Sequence, residues 1–313
     1  MAVTVSALAF LLVVMDDRLV VALGGNALAP DPSAPIEEQT ETVRATAREL
    51  AALDGELVLT HGNGPQVGNR LLEQDRTDTP RLPMDVLVAE TQAQLGYLLQ
   101  RALDAELGGE FLTLVTQTVV DPDDPAFDAP SKPVGPWYTP EEAESKPFET
   151  AEVGLGAEPY RRVVPSPEPQ RVVEAEEIAA LVEHGQSVVC GGGGGVPVVE
   201  RNGRLEGVPA VVDKDHTARL LAESVGAPTL ALVTDVECAY RAWDSENPEP
   251  IGETIPKEMR DLLDAGEFGE GSMRPKVEAA IDFVEGGGER ALVCNTGNLA
   301  AALAGDAGTR IRG

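Results

Sequence analysis

Lysine is scarce in this chain, which makes the position of each lysine informative. Only five of the 24 basic residues are lysines, and they are Lys132, Lys146, Lys214, Lys257 and Lys276. Lys214 and Lys276 fall at or near the starts of predicted helices, where anions are favourably bound, and Lys132 falls in a proline-rich segment. We predict that these three stabilise the negative charge of a phosphoryl group during its transfer. Lys146 and Lys257 are predicted to be solvated surface charges.

Three glycine-rich segments each follow a predicted strand. They are Gly24-Gly25, Gly62 to Gly64, and the run Gly191 to Gly195. Glycine lets the backbone approach a ligand closely, and the free N–H groups at the start of a following helix bind anions. One such segment would indicate a tight turn, but three in one chain favour a phosphate-binding site.

The better-known phosphate-binding motifs are missing from the sequence. No GxxxxGK[ST] segment occurs, and the glycine run does not complete GxGxxG because Val196 occupies the last position. The HRD and DFG segments of protein kinases are also missing. A phosphate site in this chain must therefore use another architecture.

The elements that must position these residues alternate between strand and helix. We predict strands at 18–23, 56–60, 111–120, 187–190, 229–236, 290–294 and 309–312. We predict helices at 37–54, 84–107, 170–184, 275–285 and 298–304, a further helix after Asp213-Lys214-Asp215, and a hairpin around Asn202-Gly203. Such alternation predicts an α/β fold with a mainly parallel sheet covered by helices on both faces. Ligands of such sheets bind at the carboxyl ends of the strands, where the glycine clusters stand.

The segment 121–169 differs in composition from the rest of the chain. It is rich in proline and acidic residues and shows little periodicity. Because a structureless loop of this length is unusual in a compact domain, we predict a small protruding subdomain of hairpins, or a lid.

The overall charge excludes two classes of partner. With 53 acidic residues the formal net charge is −29, which repels nucleic acid and anionic membranes. The hydrophobic content of 42% is enough for a real core. The deficit of lysine rather than arginine favours a protein of a salt-rich cytoplasm over an ordinary acidic protein.

The cysteines and histidines do not suggest a metal site. The three histidines lack metal-ligand spacing, and the three cysteines are predicted to be small buried hydrophobes in a reducing compartment. No ligand for a metal is predicted from the side chains.

The first residues are apolar but do not resemble a signal peptide. They lack a basic start and a small-residue cleavage site, and they are too short to span a bilayer. We interpret residues 1–14 as an extension outside the fold, with the domain covering 15–313. We predict a cytoplasmic protein.

Seven motifs together carry a resemblance to a known family. They are GGNAL (24–28), HGNGPQVG (61–68), SKP (131–133), RRVVPSP (161–167), CGGGGG (190–195), DKD (213–215) and GSMRPKV (271–277). From about residue 18 to the C-terminus the chain resembles carbamate kinases, which have the amino acid kinase fold.

The resemblance implies a fold, a reaction and an assembly. The fold is a three-layer α/β/α sandwich with a mainly parallel central sheet and a small protruding subdomain at about 121–169. An N-lobe (about 15–169) binds carbamate or carbamoyl phosphate, and a C-lobe (about 170–313) binds the nucleotide. The reaction is reversible phosphoryl transfer between ATP and carbamate with Mg²⁺, giving ADP and carbamoyl phosphate, and the protein is a homodimer.

The resemblance also implies residue roles. Lys214 bridges the transferred phosphoryl group, Lys132 reaches in from the subdomain, and Asp215 orients the lysines. The residues implied to hold carbamoyl phosphate are Gly24, Gly25, Asn26, Gly62, Asn63 and Gly64. Those implied to hold the nucleotide are Gly193, Gly194, Thr234, Asp235, Tyr240, Met273 and Lys276.

Two alternatives remain beside this interpretation. The first is another kinase of the same fold, of the acetylglutamate or uridylate type, although the small glycine loops argue against a large acceptor. The second is a non-catalytic nucleotide sensor, against which the retention of the three lysines and Asp215 argues. In the favoured interpretation the enzyme makes ATP from the carbamoyl phosphate of arginine fermentation.

Overall fold

The computed structural model describes residues 18–28, 34–109, 111–243, 245, 247–269 and 273–313. The predicted N-terminal extension, residues 1–14, lies outside the described residues. Among the described helices, none has a stretch long and apolar enough to cross a membrane.

The chain forms seventeen strands in the described ranges. They are β1 (Leu19–Leu23), β2 (Leu57–His61), β3 (Phe111–Thr113), β4 (Gln117–Val120), β5 (Lys132–Tyr138), β6 (Thr150–Glu152), β7 (Tyr160–Val164), β8 (Pro169–Val172), β9 (Ser187–Val189), β10 (Val196–Arg201), β11 (Arg204–Gly207), β12 (Thr229–Thr234), β13 (Tyr240–Arg241), β14 (Glu249–Pro250), β15 (Glu253–Thr254), β16 (Arg290–Asn295) and β17 (Thr309–Arg312).

Nine α-helices lie in the same ranges, together with short 3₁₀ turns. They are α1 (Ile36–Ala51), α2 (Gly64–Arg76), α3 (Met84–Leu107), α4 (Pro140–Glu144), α5 (Ala175–Glu183), α6 (Lys214–Val225), α7 (Pro256–Asp264), α8 (Met273–Glu285) and α9 (Leu299–Ala304). The 3₁₀ turns are Gly25–Ala27, Pro125–Phe127, Gly192–Gly194 and Thr296–Asn298.

An eight-stranded sheet forms the middle layer, in the order β15-β17-β16-β12-β1-β2-β9-β3. Its neighbours pair in parallel except β16 and β17, which are antiparallel. Alternate side chains of β1 enter two different cores: Val20 packs with residues of α5, α6 and α8, and Val21 with residues of α1, α3 and α9. Because both faces are covered, the central strands are continuously apolar. The predicted three-layer α/β/α sandwich is confirmed.

Three smaller sheets accompany the central one, and the smallest of them is the pair β13-β14. β11-β10-β4-β8 form a four-stranded sheet, in which β10 and β11 are the predicted hairpin. Asn202 and Gly203 at its turn have φ of 53° and 71°, the left-handed values that a two-residue hairpin turn requires. Within the segment predicted as a subdomain, β5, β7 and β6 form a separate three-stranded sheet.

Two predicted elements were wrong. The apolar run 111–120 is not one strand: β3 joins the central sheet and β4 the four-stranded sheet, and the chain changes direction where the Thr116 N–H donates to Gln92 Oε1 at 2.6 Å. The helix predicted from 170 begins only at Ala175, because β8 pairs with β4. Helices α2 and α7 were not predicted, since polar residues dominate both.

Candidate active site

The carboxyl ends of β1, β2, β9 and β12 meet at one edge of the central sheet and open into a cavity of about 270 Å³. The predicted site residues that line this cavity are Gly24, Gly25, Gly62, Asn63, Gly64, Lys132, Gly193, Lys214, Asp215, Thr234, Asp235 and Lys276. The geometry therefore brings together the three glycine segments and the three lysines that the sequence singled out.

A buried carboxylate holds two of the lysines. Lys214 Nζ lies 2.6 Å from Asp215 Oδ1, and Lys276 Nζ lies 3.0 Å from Asp215 Oδ2. Asp215 is only 3% exposed. Burial lowers the pKa of Lys214; Asp215 opposes this effect and Lys276 reinforces it. Two ammonium groups share this one carboxylate, so the three side chains together carry more positive than negative charge beside the cavity.

The third lysine approaches from the subdomain sheet and has a different partner. Lys132, the first residue of β5, donates to Asp213 Oδ2 at 3.1 Å, and its side chain is 38% exposed. Burial alone would raise the pKa of Asp213, but the charges of Lys132, His216 and Lys214 lower it to about 2. Sequence reasoning did not assign Asp213 to the site, although its position at the start of α6 was a signal.

The glycine run is shaped by close contacts that exclude side chains. Gly193 has φ of 65°, and a Cβ there would lie 2.2 Å from the side-chain amide of Asn63. A Cβ on Gly192 would lie 2.5 Å from the His61 ring. The positive φ and the crowding both require glycine, so the run is a packed turn as well as part of the cavity wall.

Buried polar side chains support that turn from behind. Gln92 donates to the Gly192 carbonyl at 3.1 Å and accepts from the Thr116 N–H. Thr116 Oγ1 in turn accepts from the Gly191 N–H at 2.7 Å. His61 is 1% exposed, and burial lowers its pKa to about 4, so the ring is neutral at physiological pH. No local pattern in the sequence marks Gln92, because its partners Thr116 and Gly192 lie far along the chain.

A second cavity, of about 280 Å³, continues from the first past Thr234 and Asp235, which line both. Its other walls are Val236, Tyr240, Trp243, Glu267, Phe268, Gly269 and Met273. The Tyr240 and Trp243 rings lie with centroids 5.3 Å apart. Aromatic walls of this kind suit a flat apolar ligand such as a nucleobase. Trp243 and Phe268 were not singled out from the sequence.

Some assigned residues lie elsewhere or are described only in part. Gly194 lies outside the lining of both cavities, where a Cβ would meet the Val212 carbonyl oxygen at 2.3 Å. The backbone of Asn26 belongs to the turn Gly25–Ala27, while its side chain lies outside what the structure describes. Gly271 and Ser272 of the GSMRPKV motif are also outside the described residues.

One of the two lysines predicted to be solvated is not. Lys146 is half-buried, with its ammonium 4.2 Å from the centre of the Tyr138 ring and 3.9 Å from an Asp75 oxygen. The prediction was wrong because helix α2 brings Asp75 against the subdomain. Lys257 is exposed. The three cysteines are buried and unpaired, as predicted.

The described residues that line the cavity include too few acidic side chains to coordinate a metal ion on their own. Within the described ranges, no group of three histidine, cysteine or carboxylate residues could hold a metal ion. Asp213 and Asp235 are the acidic cavity residues besides Asp215, and Asp215 already accepts from two lysines. The donor set therefore fits a Mg²⁺ ion that arrives with nucleotide phosphates and takes one or two carboxylates, as Mg²⁺ commonly does.

Comparison with known proteins agrees with this geometry. A family model described as "Amino acid kinase family" matches residues 17–295. The chain is 50% identical to a carbamate kinase of Halobacterium salinarum, over 93% of this chain and 97% of that protein. It is 47% identical to a carbamate kinase of Thermococcus kodakarensis, over 94% and 98% of the two chains. The solved structure of a Giardia lamblia carbamate kinase bound to AMP-PNP superposes with a TM-score of 0.86 at 35% identity, over 95% and 99%.

Proposed function

The chain belongs to the amino acid kinase family and, within it, to the carbamate kinases, and we propose that it transfers a phosphoryl group reversibly between ATP and carbamate. The observation that carries the proposal is the convergence of three lysines and three glycine segments on one small cavity, which continues into an aromatic one. The first cavity suits a small anionic acceptor, and the second suits the nucleoside.

The chemical step needs positive charge more than it needs a nucleophile. In the direction of ATP synthesis, a terminal oxygen of ADP attacks the phosphorus of carbamoyl phosphate, the bond from phosphorus to the carbamoyl oxygen breaks, and carbamate leaves with its electron pair. Negative charge spreads over the three equatorial oxygens in transit. We assign Lys214 to these oxygens, Lys276 to the nucleotide phosphates and Asp215 to the orientation of both ammonium groups, because Asp215 touches both.

The acceptor end is assigned to the glycine segments. Gly24, Gly25 and Asn26, with Gly62, Asn63 and Gly64, would hold carbamate through backbone N–H groups at the starts of a 3₁₀ turn and of α2. Lys132 would approach from the subdomain and close the cavity over the substrate. This division supports the assignment of the acceptor to the N-lobe, about 15–169.

The nucleotide end is assigned to the C-lobe, about 170–313. Thr234 and Asp235 stand between the two cavities, beside the expected path of the phosphates, and Tyr240 and Met273 line the aromatic cavity. Gly193 lines the first cavity, and Gly194 shapes the turn behind it. Mg²⁺ bound to the nucleotide would neutralise phosphate charge, and Asp235 and Asp213 are the cavity carboxylates that would hold it.

The cellular setting is part of the same proposal. Carbamoyl phosphate is a mixed anhydride, so phosphoryl transfer to ADP is the favourable direction, and we assign the enzyme to ATP synthesis in arginine breakdown. The net charge of −29 supports a salt-rich cytoplasm.

A homodimer is supported by exposed apolar side chains at one edge of the central sheet. Tyr97 on α3 is 59% exposed, and Leu112 on the edge strand β3 is 40% exposed. An uncovered edge strand beside apolar side chains is a common interface. Light scattering coupled to gel filtration should give twice the chain mass for the wild type and one chain mass for Tyr97→Asp, while a monomeric wild type would contradict the assembly.

One assay tests the activity. The protein is purified in molar KCl and supplied with ADP, Mg²⁺ and carbamoyl phosphate, and the rate of ATP formation is measured. The wild type is compared with Lys214→Ala, and Lys257→Ala is the matched control. We expect ATP from the wild type and from Lys257→Ala. Faster turnover of uridylate or acetylglutamate would identify another kinase of this fold, and nucleotide binding without turnover would identify a sensor.

A further inference from the structure

His216 lies one residue after Asp215 on α6 and is enclosed by acidic groups from several segments. Its Nδ1 lies 2.6 Å from Glu168 Oε1, and its Nε2 lies 3.7 Å from Glu278 Oε2. Asp213, on the preceding turn, adds a third carboxylate whose charge acts on the ring. The His216 side chain is only 11% exposed, and both ring nitrogens lie near protein carboxylates.

The partners of His216 come from two different parts of the chain, the base of the subdomain and helix α8. Glu168 lies in the segment that returns from β7 to β8, at the base of the subdomain. Its backbone N–H donates to Asp124 Oδ2 at 3.0 Å, and Asp124 lies in the outgoing segment between β4 and β5. The segment that enters the subdomain and the segment that leaves it are therefore joined at Glu168. Glu278 lies on α8, two residues after Lys276.

We propose that His216, as an imidazolium, is a positioning residue that fastens the base of the protruding subdomain to the helices that carry Lys214 and Lys276. A neutral imidazole can donate from only one nitrogen, whereas an imidazolium donates from both. Nδ1 lies within hydrogen-bond distance of Glu168, and only the charged ring also attracts Glu278, whose Oε2 lies 3.7 Å from Nε2, beyond hydrogen-bond distance. The fastening sets where Lys132, at the start of the subdomain sheet, stands relative to the two buried lysines.

The charges around the ring favour the protonated form. Burial lowers the pKa of His216, but Glu168, Asp213 and Glu278 raise it above its ordinary value. Arg274 also binds Glu278, at 2.9 Å, and Lys132 binds Asp213, so each of these carboxylates has a second cation. A histidine whose pKa is raised by folding stabilises the fold fully below about pH 6.5, and this contribution is lost as pH rises through the raised value.

The first test measures the proton directly and does not depend on the proposed reaction. The chain has three histidines, so ¹⁵N-histidine NMR of the wild type resolves each ring. The signals are assigned from those that disappear in His216→Gln and in His184→Gln. We expect the His216 ring to titrate above about 6.5 and to show both nitrogens protonated below that point. A ring that titrates at or below the ordinary value overturns the proposal, whatever reaction the enzyme performs.

The second test measures positioning, and it rests on the proposed function for its substrates. At pH 6, His216→Gln and Glu168→Gln are each expected to raise the KM for carbamoyl phosphate about 3- to 10-fold, the effect of a partly buried ion pair, with the KM for ADP nearly unchanged. Above the His216 pKa the wild type should approach the variants. His184→Gln, an exposed substitution on α5, is the control.

A double-mutant cycle distinguishes a specific coupling between His216 and Glu168 from independent effects of the two substitutions. If His216 acts through Glu168, the double variant should be no worse than either single variant. Effects that multiply, or a pH profile that is the same in wild type and His216→Gln, would overturn the proposal. Glu168 is largely exposed, so Glu168→Gln keeps the test available even if substitution of the buried histidine lowers solubility.

Discussion

Two ion-pair groups face the same cavity but differ in burial and in origin. Lys214 and Lys276 share Asp215 and are buried, and all three come from the helices of the C-terminal half. Lys132 pairs with Asp213, is 38% exposed and comes from the subdomain sheet. A buried group keeps its charge fixed before the substrate arrives, which is how preorganised electrostatic stabilisation works. The exposed pair is held weakly, and in the proposed function Lys132 exchanges this carboxylate for a substrate anion.

The largest expected effect comes from removing the buried charge. Lys214→Ala should lower kcat on the order of 10²–10³-fold, comparable to the loss of one preorganised stabiliser, with a smaller change in the KM values. Steady-state ATP formation measures it. Lys276→Ala should instead act mainly on the KM for ADP. Loss of activity in Lys257→Ala as severe as in Lys214→Ala would contradict the assignment of the site.

Arginine substitutions should separate the two groups more sharply. Lys214→Arg should remain at least about 10²-fold below wild type, because a planar guanidinium does not fit the space of a buried ammonium. Lys132→Arg should stay within about tenfold of wild type, since the exposed end of the cavity leaves room for the larger group. The two variants are compared by kcat and by the KM for carbamoyl phosphate. Equal losses would mean that burial does not distinguish the two groups.

The sequence predicts the elements best where one physical signal dominates. β1 and β2 were predicted within a residue or two because their apolar runs end at glycines, and α3 ends at Gly108, which has φ of 89°. The run 111–120 failed because continuous apolar character does not show which sheet a residue joins. That choice is made by Gln92, which binds the backbone of the run at Thr116.

Residues of the site, too, could be predicted only where a local feature of the sequence marks them. The low number of lysines drew attention to each of them, and the glycine clusters after predicted strands indicated the loops. Both sets could therefore be predicted from the sequence alone. Gln92, Trp243 and His216 carry no such local mark. Each meets residues far along the chain, as His216 meets Glu168, 48 positions before it, and as Trp243 lines one cavity with Phe268, so only the folded chain brings these groups together.

Salt should act on the surface charge rather than on the buried group. At 0.01 M salt the Debye length is about 30 Å, so the net charge of −29 repels itself across the molecule. We expect Tm to rise by more than about 4 °C between 0.01 M and 1 M KCl, which corresponds to more than roughly 2 kcal/mol for a chain of 313 residues. Scanning calorimetry measures it. A flat Tm would contradict adaptation to a salt-rich cytoplasm.

The smallest effect tests the carboxylate that links the two groups. Asp213 accepts from Lys132 Nζ, and it also caps α6 by accepting from the Asp215 N–H at 2.9 Å. Asp213→Ala removes both contacts and should lower the free energy of unfolding by about 1 kcal/mol, the usual cost of a lost N-cap. Asp213→Asn retains an N-cap side chain and should cost less, since the exposed Lys132 ammonium can be solvated when it loses its partner.

The pH dependence of this difference follows from the pKa of Asp213. That pKa is lowered by folding, to about 2, so the stabilisation by its charge is complete above the unfolded value near 3.9 and is lost as pH falls toward 2. Urea denaturation of wild type and Asp213→Asn should therefore differ above about pH 5 and converge in acid, and the difference should shrink where His216, whose pKa Asp213 raises, loses its proton. A larger loss in Asp213→Asn than in Asp213→Ala would show that the charge at this position, rather than the helix cap, dominates.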